Sequence, residues 1–105
     1  MVLLTRYRVP DADVGAFRDA AAAATGALDG TPGWTGGELA RSVDDHRLWS
    51  LTARFSHAGT LRRALGAMPA RLALMALQRW AVDEPSVFET LGPDDPVDLA
   101  VDALR

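Results

Sequence analysis

Apolar residues along the chain follow two periods, and the changes between them predict the order of the elements. From Val2 to Val9, β-branched, aromatic and apolar side chains interleave with Arg6 and Arg8, until Pro10 withholds the amide that a ladder would need. This segment predicts a first strand. Asp11 and Asp13 follow, their oxygens suited to the free amides of a helix start, and Val14, Phe17, Ala21, Ala24 and Leu28 then recur at helical spacing. The alanine run from Ala20 to Ala24 favours helix and lets it lie close to whatever it covers. Gly30, Pro32 and Gly33 end it.

The period then shortens to two. Trp34 to Ser42 and Arg47 to Phe55 predict a hairpin through the polar link Val43, Asp44, Asp45 and His46. Trp49, Leu51, Ala53 and Phe55 share one face, while Leu48, Ser50, Thr52 and Arg54 give the other a mixed character. A second helix is expected from Ser56 or His57, with Leu61, Ala64, Leu65 and Met68 on one side until Gly66 and Pro69 interrupt it. Pro69 can open a third helix, where Leu72, Met75 and Ala76 continue the apolar stripe and Leu74 and Leu77 widen it. Ser86 to Leu91 predicts a last strand.

Strand, helix, strand, strand, helix, strand is the ferredoxin-like split βαβ order: an α+β fold whose four-stranded antiparallel sheet carries its helices on one face. The uncovered face would present an apolar patch of several hundred Å², large enough to mark an association surface. A homodimer that presses two such sheets together is the expected solution.

Composition narrows the chemistry. The 105 residues suit one domain, carry a formal net charge of −3, and include no Cys, Lys, Asn or Ile. Disulfides, thiolate catalysis, thiolate metal sites and Schiff-base lysines are thereby excluded. The acidic balance argues against nucleic acid. No apolar run reaches the roughly 18 residues that span a bilayer, and the start lacks signal-peptide order, so a soluble, cytoplasmic protein is expected. From Gly92 onward Asp94, Asp95, Asp98 and Asp102 make an acidic tail with a weak amphipathic pattern at Val97, Leu99, Val101 and Leu104.

The run PGWTGGELARSVDDHRLWSLTARFSHAGTLRRALG, preceded by VLLTRYRVPDAD and followed by AVDEPSVFETL, resembles the antibiotic biosynthesis monooxygenase (ABM) domain family. The features that carry the likeness are a Pro-Gly turn before the second strand, a Trp in the third, an aromatic residue ending it, and an Arg-bearing helix straight after. It covers roughly residues 2 to 91, so an ABM-like domain over 1–91 and an acidic tail over 92–105 are expected. The resemblance implies a dimeric α+β barrel with a ligand pocket in each protomer between sheet and helices. It also implies cofactor-independent oxygenation of an electron-rich aromatic substrate such as a polycyclic intermediate of secondary metabolism, or a related cyclisation. Some relatives degrade haem. Known oxygenases of the group use an Asn with Trp, Tyr, His or Arg support; this chain has no Asn, so no catalytic residue is carried across, and His57 is the nearest match at the start of the second helix.

Oxygenation without a cofactor needs an apolar cavity, a base to ionise the substrate and a donor to hold the resulting anion. His57 is the candidate base and Arg54 the candidate donor. Tyr7, Trp49 and Trp80 are candidates to stack on a planar ligand. Plainer readings stand beside each. Trp49 lies in an apolar row and suits a core anchor, Tyr7 can pack and hydrogen-bond at the sheet, and Trp34 suits a strand end or dimer contact. His57 can serve the helix start, and Arg54 can pair with Glu38 across the strands. His46 belongs to a solvated turn, and Arg62, Arg63 and Arg71 to a wet helical face. Two histidines in separate elements make no metal site. Phosphate loops, dinucleotide fingerprints and Ser-His-Asp order are missing. Two alternatives to the oxygenase remain: a non-catalytic dimeric binding domain, and haem binding through His57.

Overall fold

The structure, a computed structural model, describes residues 1–97. Strand β1 (Val2–Arg8) is followed by a short turn of 3-10 helix, helix α1 (Val14–Asp29), the hairpin of β2 (Trp34–Arg41) and β3 (Leu48–Phe55), helices α2 (Ala58–Gly66) and α3 (Met68–Met75), a second 3-10 turn, and β4 (Val87–Phe88). The sheet runs in the order β2-β3-β1-β4 with every pair antiparallel. This is the α+β arrangement that the period changes predict, with the two central strands adjacent although a helix and a strand separate them in sequence.

Alternation explains which face is covered. Leu3 and Tyr7 of β1, and Trp49, Leu51, Ala53 and Phe55 of β3, are buried toward the helices. Phe17, Ala21, Ala24 and Leu28 of α1 meet them, as their spacing requires. Two packed clusters result. One joins Tyr7, Val9, Phe17, Trp49, Leu51, Leu77 and Trp80, and the other gathers Leu3, Leu28, Phe55, Leu61, Ala64 and Ala70. Burying a large apolar side chain contributes roughly 1.5–3 kcal/mol, so these clusters carry most of the cohesion.

Four expectations need correction. Asp11 and Asp13 do not cap α1 with their side chains; they sit in the 3-10 turn, and Asp13 accepts a hydrogen bond from Trp80 Nε1 at 3.0 Å. The stripe expected to bury Met68, Leu72 and Met75 faces outward, with exposures of 60%, 58% and 60%. Its opposite side, Ala70, Ala73, Leu74 and Leu77, packs inward instead. The reason is close approach: α1 offers Ala20, Ala21 and Ala24 at this contact, and small side chains on both helices bring them nearer than Leu and Met would allow. The last strand is only Val87–Phe88, shorter than Ser86 to Leu91. Finally, the centre of the layer between sheet and helices is filled by the aromatic cluster, so among the described residues open space lies at the margins of that layer and not in its middle.

The junction of α1 and β2 depends on one glycine. Gly33 has φ +87°, a left-handed conformation that side-chain-bearing residues rarely adopt, and a Cβ there would run into the Thr60 side chain. The acidic tail expected over 92–105 lies, from residue 98 on, outside the described residues, and with it most of the amphipathic pattern.

Candidate functional site

The structure separates the residues that the sequence put forward. Tyr7, Trp49 and Trp80 do come together, each against the same ring: Phe17 lies 5.3 Å from Tyr7, 5.4 Å from Trp49 and 5.4 Å from Trp80, centroid to centroid. The tilted and edge-on geometries are those of an aromatic core. Trp49 is buried there with Arg41 over its ring at 5.3 Å, and its indole N–H has no hydrogen-bond partner among the described residues. Trp80 donates to Asp13, while the Arg79 guanidinium stacks on its face at 3.9 Å.

His57 and Arg54 lie elsewhere. His57 is the N-cap of α2: its Nδ1 accepts from the Thr60 amide at 3.4 Å, and the Thr60 hydroxyl accepts from the His57 amide at 3.3 Å. That reciprocal pair is a capping box. Arg54 stands on the sheet face away from the helices, where it donates to Glu38 Oε1 at 2.8 Å. Trp34 opens β2 and meets Phe55 edge-on at 5.9 Å.

A cleft that the sequence reading missed lies along β1. Val82 donates to the Arg6 carbonyl at 2.8 Å, and the Leu4 amide donates to the Ser86 carbonyl at 2.7 Å. Between these bonds the returning chain places Asp83, Glu84 and Pro85 opposite Thr5 alone. The extra residues leave the ladder as a bulge, and Pro85 has no amide to rejoin it. The bulge holds open a cleft of about 370 Å³ lined by Thr5, Arg6, Tyr7, Gln78, Asp83, Glu84 and Ser86, among others. On the other side of the same bulge, Leu4, Arg6, Glu84, Pro85 and Phe88 line a smaller hollow of about 200 Å³. The signal in the sequence was the run Asp83, Glu84, Pro85 between a helix and a strand; which residues it would face was a tertiary matter.

Tyr7 is the most unusual group in this wall. It is only 2% exposed, and its hydroxyl oxygen accepts from Thr5 Oγ1 at 2.7 Å. Burial pushes its pKa above the ordinary phenol value, and the Thr5 hydrogen bond offsets this in part. The phenol is therefore held neutral, and with the Thr5 hydroxyl turned to it, not to the Leu51 carbonyl 3.4 Å away, its own proton has no protein acceptor among the described residues. Arg6 Nε pairs with Glu84 Oε1 at 3.2 Å, whereas Asp83 forms no ion pair among the described residues. A wider groove of about 540 Å³ runs between α1 and β2, where Arg18, Thr25 and Glu38 stand among Ala21, Ala22, Gly26, Gly37 and Leu39, but Glu38 is held by Arg54 and the Thr25 hydroxyl donates to the Ala21 carbonyl. The cleft beside Tyr7 is where hydroxyl, amide and carboxylate groups converge.

With this geometry in view, the fold can be compared with solved structures. SnoaB, a cofactor-independent oxygenase from Streptomyces nogalater, superimposes with a TM-score of 0.71 over 90% of this chain and 96% of its own, at 19% identity. The chain has the antibiotic biosynthesis monooxygenase fold. A further ABM structure matches with a TM-score of 0.73 over 89% of this chain and 100% of its own, at 7% identity. Rv0793 from Mycobacterium tuberculosis matches with a TM-score of 0.69 over 92% and 97%, at 16% identity. No family model and no curated protein matches the sequence. The ABM fold is thus preserved here by packing and strand order while most side chains differ. One of the similar structures is an asparagine-to-alanine variant of SnoaB, and this chain contains no asparagine at all.

Proposed function

We propose that the protein is a homodimeric, cytoplasmic, cofactor-independent oxygenase of the ABM type, acting on a small electron-rich aromatic compound bound beside the Asp83–Pro85 bulge. The observation that carries this reading is the buried, neutral Tyr7 phenol, backed by Thr5, in the wall of a cleft on an ABM fold. In an anthrone-like substrate, loss of a ring proton gives an anion whose charge rests on the carbonyl oxygen. Tyr7 donates its hydrogen bond to that oxygen, and Asp83 is the cleft carboxylate free to take the proton. The substrate anion supplies the electrons to dioxygen. One oxygen atom becomes the new carbonyl, and the other leaves as water with the two hydrogens of the methylene.

Oxygen uptake in the presence of an anthrone or a dihydroxynaphthalene tests this. Turnover above buffer is expected, with Tyr7→Phe slower by about a hundredfold to a thousandfold, as for loss of one oxyanion donor. No difference between protein and buffer rejects catalysis.

The second reading is a dimeric domain that binds an aromatic ligand without converting it. It is favoured by the capping role of His57 and the ion pair of Arg54, which leave neither sequence-proposed catalytic group at the cleft. Saturable binding without oxygen uptake is its signature. Haem binding through His57 draws less support, because Nδ1 is engaged in the cap and the imidazole lines neither cleft beside the bulge.

A further inference from the structure

We infer that the cleft beside the bulge selects uncharged or ammonium-bearing hydroxyarenes and turns away their carboxylated counterparts, a selectivity that rests on the proposed use of this cleft as the ligand site. Its neutral groups are the hydroxyls of Thr5, Tyr7 and Ser86 and the amide of Gln78, each able to meet a phenol or a ring carbonyl. Its charged groups are one cation, Arg6, and two anions, Asp83 and Glu84. The cation is engaged, since Arg6 Nε lies 3.2 Å from Glu84 Oε1. Asp83 is left without an ionic partner among the described residues.

A ligand carboxylate would therefore enter a wall whose uncompensated charge is negative. To recruit Arg6 it would have to compete with Glu84. Binding a hydroxyarene or an ammonium group requires no such exchange, and the ammonium gains from Asp83. Because the rim is partly solvated, with side-chain exposures of 51% for Arg6 and 34% for Glu84, the discrimination should weaken as salt rises.

Calorimetric titration of the full chain with a naphthol, the corresponding hydroxynaphthoate and the corresponding aminomethyl naphthol separates these terms. At low salt the hydroxynaphthoate should bind at least about tenfold more weakly than the naphthol, a gap of about 1.4 kcal/mol. The aminomethyl compound should bind no more weakly than the naphthol. The gap should narrow with added salt, and Asp83→Asn with Glu84→Gln should close it by removing both anions and freeing Arg6. Equal affinities for the naphthol and the naphthoate at low salt overturn the inference while leaving the cleft as the ligand site. So does a gap that survives the double substitution in a folded protein. If the double variant fails to fold, the salt series on the unmodified chain decides, and a salt-independent gap overturns the inference. Absence of binding by all three probes rejects the cleft itself as the ligand site.

Discussion

His57 and Thr60 exchange hydrogen bonds across the first turn of α2, and this exchange accounts for both residues without any chemistry on a substrate. Removing the cap with His57→Ala should cost about 0.5–2 kcal/mol in urea denaturation, while His57→Asn restores most of it. Oxygen uptake should be unaffected by either change, and a loss of turnover in His57→Asn would return the imidazole to the list of bases. Tyr7 makes a cleaner probe, because it is the only tyrosine in the chain. Its phenolate absorbance therefore reports one group. The folded pKa is raised by burial, so the fold holds the proton more tightly than the unfolded chain does. The resulting stability is complete below the ordinary phenol value of about 10 and is lost as pH rises through the higher folded value. An alkaline titration midpoint above that ordinary value is expected, together with a stability that declines over the same interval. Thr5→Val should move the midpoint further up, since it removes the bond that opposes burial. A midpoint at the ordinary value would mean that water reaches the phenol freely.

At the level of elements, legibility depended on whether a segment's partner could be inferred from its own pattern. In α1 it could: the apolar positions recur on a single face with no rival stripe, and Phe17, Ala21, Ala24 and Leu28 are all buried. Phe17 is the keystone of the aromatic cluster, so Phe17→Ala should cost about 3–5 kcal/mol, a large share of the 5–15 kcal/mol that holds most domains. Phe17→Leu should cost markedly less, and near-equal denaturation midpoints for the two variants would show that the rings are not packed as described. In α3 the pattern was ambiguous. Met68, Leu72 and Met75 form one stripe and Ala70, Ala73, Leu74 and Leu77 another, and the choice between them was made by the alanines of α1, which lie some fifty residues earlier. The bulge after Trp80 posed the same difficulty. Pro85 is a signal of interruption that the pattern contains, but that Asp83 and Glu84 stand beside Thr5 and Tyr7 follows from the register of β1 against two short segments. His57 and Arg54 were legible as polar residues near a strand end, and their plainer readings are the ones whose bonds are present. Gly33 is a smaller case: Gly33→Ala should lower the melting temperature through both its left-handed backbone and the Thr60 contact.

At the scale of the whole molecule, the proposed dimer requires an apolar surface that a second copy can cover. Two are available. The outer face of the sheet carries Val2, Leu4 and Leu48, half-buried among Ser50, Thr52 and the ion pairs of Arg6, Arg8 and Arg54. The other is the α3 stripe of Met68, Leu72 and Met75. Size separates them. Three strands of seven or eight residues, at about 4.8 Å spacing and about 3.3 Å per residue, give a face of roughly 15 by 25 Å to which the two residues of β4 add an edge, whereas the stripe spans about 10 Å of one helix. A stable dimer buries about 800 Å² on each partner, and the sheet face comes far nearer to that than a single stripe does. The ion pairs of Arg8 and Arg54 also fit such an interface, since each pairs opposite charges within one protomer, while the Arg6–Glu84 pair belongs to the cleft beside the bulge at the β4 edge, which stays open to ligand. Sedimentation equilibrium at micromolar concentration should therefore report a dimer. Leu4→Glu with Leu48→Glu should shift it to a monomer that remains folded, because both side chains are only half-buried within the protomer. Leu72→Glu with Met75→Glu should leave the mass unchanged. The reverse result would make α3 the contact and leave the outer face of the sheet to water, and a monomer for the unaltered chain would remove the dimer from the proposed function altogether.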